Sequence, residues 1–121
     1  MVDLPPSSNE ARRLPNGERA ELDIRKLSDY CLDPDHPRGR HKARVFRDAL
    51  GVARADAAEL RAALLIAARD EIADRTDSDE WGVRWRVDVM IARQERRAVV
   101  RTIWITRTGE DAPRFLTCWV L

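Results

Sequence analysis

The chain has 121 residues, room for one domain with a modest core, and its 22 Lys and Arg nearly balance 21 Asp and Glu, leaving a net charge of +1. That balance excludes a chain-wide polyanion-binding surface, so any nucleic-acid role has to come from local clustering. No run approaches the ~18 apolar residues of a membrane span, and the polar opening from Met1 to Glu10 lacks the apolar core of a secretory leader.

The expectation is a cytoplasmic protein with no membrane partner. Cys31 and Cys118 stand far apart without metal-ligand spacing and read as free thiols of a reducing compartment. Residues 1–13 read as a flexible tail and residues 14–121 as one α+β domain. Leu14-Pro15-Asn16-Gly17 is a turn. Arg19 to Leu22 suits a short strand. Asp23 is an N-cap, and Ile24, Leu27 and Cys31 form one face of a short helix ending near Leu32. Asp33 to Gly39 is a polar link, stiffened by Pro34 and Pro37, that presents His36.

A second helix is predicted from Arg40 to Leu50, closed by Gly51. Val45, Phe46, Ala49 and Leu50 make its apolar stripe, with Arg40, Arg44 and Arg47 opposite. Lys42 falls on the stripe's own meridian and His41 at its edge. A lysine aimed at the body of a domain is costly unless it is paired or opens onto a cleft. A third helix is expected over Ala55 to Ala73, with Leu60, Leu64, Ala67 and Ala68 inward. Thr76 to Glu80 reads as a solvated acidic loop.

Strands follow at Val83–Ile91, Ala98–Arg107 and Arg114–Val120, as an antiparallel meander. Phased together, Trp85, Val87, Ile103, Ile105 and Cys118 make the core face. Arg84, Thr102, Trp104, Phe115, Thr117 and Trp119 make an open face, mixed in chemistry. The predicted architecture has about three N-terminal helices packed on one face of a C-terminal antiparallel sheet of three to four strands.

The chemistry concentrates in residues 36–47, which hold both histidines and five Lys or Arg but no acid. The start of the second helix, at Gly39 and Arg40, offers free N–H groups and a favourable dipole to an anion. Beside it, a sheet face with Arg, Thr and Trp suits single-stranded RNA by stacking and backbone contacts. Cleaving RNA without a metal needs a base for the 2′-OH, an acid for the leaving oxygen and cations for the phosphorane. His36, His41, Lys42, Arg101 and Arg114 are of the right types. The cationic surroundings disfavour a metal, and no cofactor motif is visible. Each residue also has a plainer role. Arg101 can pair with Asp88, Arg114 can bridge an acid at the strand entrance, and Thr102 and Thr117 are ordinary strand formers.

Several phrases recur together: Leu14-Pro15-Asn16-Gly17, Lys26-Leu27-x-x-Tyr30-x-Leu32, His36-Pro37-x-Gly39-Arg40-His41-Lys42-Ala43-Arg44-Val45-Phe46, Val100-Arg101-Thr102-x-Trp104-Ile105, and Pro113-Arg114-x-x-Thr117. As a set, spanning Leu14 to Leu121, they resemble an uncharacterised bacterial family, the domain of unknown function numbered six-eight-eight-three. That family looks like the barnase, EndoU, colicin E5 and RelE group of small RNase folds. The resemblance implies helices before a four-stranded antiparallel sheet and a toxin-related setting. It also implies His36, His41, Lys42, Arg101, Thr102, Trp104, Arg114 and Thr117 as site residues.

The expected function is a metal-independent, ribonuclease-like domain acting on or binding RNA. His36, His41, Lys42, Arg101, Arg114 and Thr117 would be catalytic, and Arg40, Thr102, Trp104 and Trp119 would bind nucleic acid. Its partners would be RNA and a cognate small antitoxin or immunity protein. The alternative is a non-catalytic protein-binding or immunity/accessory module.

Overall fold

In the computed structural model, which describes residues 12–121, helical segments come first and a sheet last. A π-helical turn, Leu27–Cys31, precedes α1 (Arg40–Leu50) and α2 (Ala57–Asp70). Strands β1 (Ala73–Asp79), β2 (Gly82–Arg93), β3 (Arg96–Arg107) and β4 (Arg114–Val120) form one antiparallel sheet in chain order. No helix among the described residues is long and apolar enough to cross a membrane.

The ends of α1 follow from local chemistry. Gly51 takes φ of 66°, and the amides of Gly51 and Val52 reach back to the carbonyls of Arg47 and Phe46, as the predicted C-terminus requires. Its buried stripe is Ala43, Phe46 and Leu50, turned slightly from the predicted one, and Val45 stays exposed. The segment after Asp23 departs from a regular helix. The Leu32 amide bonds to the Leu27 carbonyl, five residues back, at 2.8 Å. That wider turn sends Leu27, Cys31 and Leu32 into the core together and leaves Ile24 outside.

Three expectations change. The predicted strand over Arg19–Leu22 is a 3-10 turn, Gly17–Arg19, followed by a single parallel bridge from Glu21 to Arg114. The acidic loop is instead edge strand β1, paired with β2. Its Asp74, Asp77 and Asp79 bind Arg86 and Arg84 across the sheet, so charge pairs replace the apolar alternation that marks other strands. Of the predicted tail, residues 1–11 lie outside the described residues. Arg12 and Arg13 belong to the folded unit: Arg13 bridges Ile72, and Arg12 pairs with Asp74.

The largest correction concerns the faces of the sheet. The β2–β3 hairpin closes on a two-residue turn, Gln94–Glu95, so Arg93 faces Arg96 and Trp85 faces Trp104. Odd positions of β2 therefore share a face with even positions of β3. Val100, Thr102 and Trp104 are fully buried beside Val87, while Ile103 sits with the outward Arg86. A bulge between Ile103 and Trp104 pairs Phe115 with Trp104, which brings Phe115 inside as well. The expected open face thus loses Trp104 and Phe115, while Thr117 and Trp119 stay on the outward side, opposite Ile103 and Arg101. Ion pairs, including Arg101–Asp88 and Arg86–Asp74, share that side.

Candidate functional site

The free edge of β4 meets the start of α1 and the π-helical turn, and there the chemistry of residues 36–47 is sorted. Gly39 makes the junction possible. A Cβ there would be driven into the carbonyl oxygen of Tyr30, so only glycine lets the start of α1 lie against the turn. His36 closes the same corner. Its Nδ1 accepts the backbone N–H groups of Arg38 (3.0 Å) and Gly39 (3.1 Å), and its carbonyl accepts that of Arg40. The predicted anion site at this helix start is thus partly taken by the protein's own histidine. With Nδ1 an acceptor, the neutral ring carries its proton on Nε2. The ring packs edge-on against Tyr30, centroids 4.7 Å apart.

One turn further on, Lys42 reaches across to β4. Its Nζ donates to Thr117 Oγ1 at 2.9 Å and lies 5.0 Å from the Tyr30 ring centroid and 5.5 Å from that of Trp119. It forms no ion pair among the described residues, although it is half-buried. An ammonium has no lone pair, so the Thr117 oxygen is the acceptor and its own proton is left for Cys31 Sγ, 3.8 Å away. Two residues back along β4, Lys26 Nζ donates to the Phe115 carbonyl at 2.6 Å. Burial, and then repulsion from Arg107, lowers the pKa of Lys26. Two ammonium groups without an ion pair among the described residues thus sit along one strand edge.

Open depressions flank this line. One is lined by Asp23, Arg25, Lys26, Tyr30, Leu116 and Thr117. The other is lined by His41, Lys42, Val45, Trp119 and Val120. Asp23 is held at a pKa of about 2, chiefly by its hydrogen bonds from Arg25, and so stays charged in the first.

The predicted site residues therefore divide. His36, Lys42 and Thr117 converge around Tyr30, and His41 and Trp119 border them. Arg101 neighbours Trp119 in register, but its guanidinium is bound at two points by Asp88. Arg114 lies earlier on β4, held likewise by Glu110. Arg40 faces a different depression, with Asp35 and Arg44, away from Lys42. Thr102 and Trp104 are inside, bonded to each other at 2.8 Å, and offer no surface to a base. Tyr30, Lys26 and Cys31 went unassigned. Tyr30 and Lys26 stand in one of the phrases that carry the family resemblance, which was the only signal for them. Nothing local announced the π-helical turn that aims Cys31.

The model of a family described as a domain of unknown function (DUF6883) matches residues 13–121. No curated protein and no solved structure matches the chain.

Proposed function

The chain belongs to the DUF6883 family, and we propose that it binds single-stranded RNA at the Lys42 edge and cleaves it without a metal ion. One observation supports this above others: a half-buried ammonium without a carboxylate partner, set between a hydroxyl and two aromatic rings. A phosphate is the natural counter-charge, and Trp119 and Tyr30 are platforms for the flanking bases. His41, exposed on the first turn of α1, would take the 2′-OH proton. His41, once charged, would return that proton to the leaving 5′ oxygen, while His36, whose Nδ1 is held by two amides, would donate its Nε2–H to the phosphate as a hydrogen bond without giving the proton up. Lys42 and Thr117 would hold the phosphorane oxygens. Arg101 and Arg114 would contribute only after leaving their acids.

Helices leading a four-stranded antiparallel sheet are what a likeness to the barnase–EndoU–colicin E5–RelE group would need. A toxin-related role would place the activity in a cytoplasm and call for an acidic antitoxin or immunity partner over Lys26 and Lys42. The alternative, a non-catalytic protein-binding or accessory module, now rests on separate exposed side chains such as Trp81 and Met90.

The test is a labelled single-stranded RNA incubated with the purified protein in EDTA. The expected products end in a 2′,3′-cyclic phosphate. Lys42→Ala and His41→Ala should each slow cleavage ~10²-fold or more. His36→Asn keeps an acceptor for the two amides, so a folded but slow variant would separate the hydrogen bond to phosphate from capping. RNA left intact and unbound across a wide range of folded protein would overturn the reading.

A further inference from the structure

Beneath the Lys42 edge lies a second centre that RNA chemistry does not use. Cys31, on the π-helical turn, and Cys118, on β4, belong to one buried cluster and are both free thiols. Thr117 lines the depression beside Tyr30 and also touches the Cys31 sulfur, so that sulfur is one hydroxyl removed from the surface. The Thr117 hydroxyl touches it, Cys118 is the next residue along β4, and the Lys42 charge stands behind the hydroxyl. Such surroundings stabilise a sulfur anion.

We propose that Cys31 is a peroxide-reactive thiolate and Cys118 its resolving partner, together forming a reversible disulfide under the Lys42–Thr117 bond. The Cys31 thiolate attacks one peroxide oxygen and breaks the O–O bond. Cys31 is oxidised to a sulfenic acid, and the departing oxygen leaves as water after protonation. Cys118 then attacks the sulfenic sulfur, loses its thiol proton and expels a second water as the S–S bond forms. The two thiols supply two electrons and two protons, and the peroxide is reduced to two waters. The contrast between the partners agrees: Cys31 is held near a pKa of about 6, first by its hydrogen bond from Cys118, while Cys118 is pushed well up.

This inference is independent of any RNA activity. The folded protein, freed of reductant, is treated with hydrogen peroxide, and its intact mass and non-reduced peptides are measured. The expected result is loss of two hydrogens, one Cys31–Cys118 linked peptide, and reversal by dithiothreitol. Cys118→Ser should instead gain one oxygen at Cys31, captured by dimedone. Cys31→Ser should react at least tenfold more slowly than the parent. The proposal falls if the parent keeps both thiols unmodified while folded, or if Cys31→Ser reacts as fast.

Discussion

Thr102 and Thr106 stand on the same strand and differ in what their hydroxyls meet. Thr102 Oγ1 donates to the Val87 carbonyl at 2.7 Å and accepts from Trp104 Nε1 at 2.8 Å, all fully buried. Thr106 Oγ1 is buried with no partner. Thr102→Val strands an indole N–H in the core and should cost ~1–3 kcal/mol, whereas Thr106→Val removes an unsatisfied hydroxyl and should be neutral or stabilising. Urea midpoints of the two variants check this. Cys31 makes a second prediction. Its folded pKa is depressed to about 6, so its thiolate contributes stability that is fully present above the ordinary thiol range and lost as pH falls through about 6. Cys118 has the opposite sign: kept protonated by Cys31 and by burial, it contributes stability that is lost as pH rises above that range. Thiolate absorbance should therefore show an inflection near pH 6, and stability should climb from there to mildly alkaline pH. Cys31→Ser should abolish both.

At the scale of elements, two junctions decide where the site residues stand. Gly39→Ala forces α1 away from the Tyr30 carbonyl and should cost ~1–3 kcal/mol by overpacking. It should also weaken RNA binding, by displacing Lys42 from Thr117. Equal RNA affinity in a folded Gly39→Ala protein would show that this junction does not position Lys42. The second junction is the β2–β3 turn, where Gln94 and Glu95 both take positive φ, 49° and 68°. Left-handed backbone is costly for such residues. Replacing the pair by Asn-Gly should raise stability by ~1 kcal/mol, read as a higher Tm. The flanking arginines already serve a neighbour: Arg93 donates to the Gly51 carbonyl at 2.7 Å and Arg96 to that of Arg47 at 3.2 Å. They cap the negative end of α1 with positive charge.

For the molecule as a whole, the distribution of unpaired charge carries the functional reading. Arg84, Arg86 and Arg101 of the outward sheet face are bound to acids, so RNA affinity should rest on few phosphates. Binding should weaken with salt, and Lys42→Ala should flatten the slope of log affinity against log salt by ~0.7, one single-strand phosphate. A slope that Lys42→Ala leaves unchanged would place the contact elsewhere.

Much of this molecule was determined by sequence alone. The Gly51 end of α1, the inward Leu60, Leu64, Ala67 and Ala68 of α2, and the meander of the last three strands all follow from patterns a few residues long. Such patterns depend only on helical and strand period. The faces of β3 did not follow, because Val99, Val100, Ile103, Trp104 and Ile105 make both sides apolar and leave the phase open. Only the turn at Gln94–Glu95 selects one phase. Nor could sequence tell a free cation from a paired one. Arg101 and Arg114 meet carboxylates, while Lys42 meets a hydroxyl 75 residues away. Which partner a long side chain finds depends on register and close approach between distant segments, and only tertiary packing sets those.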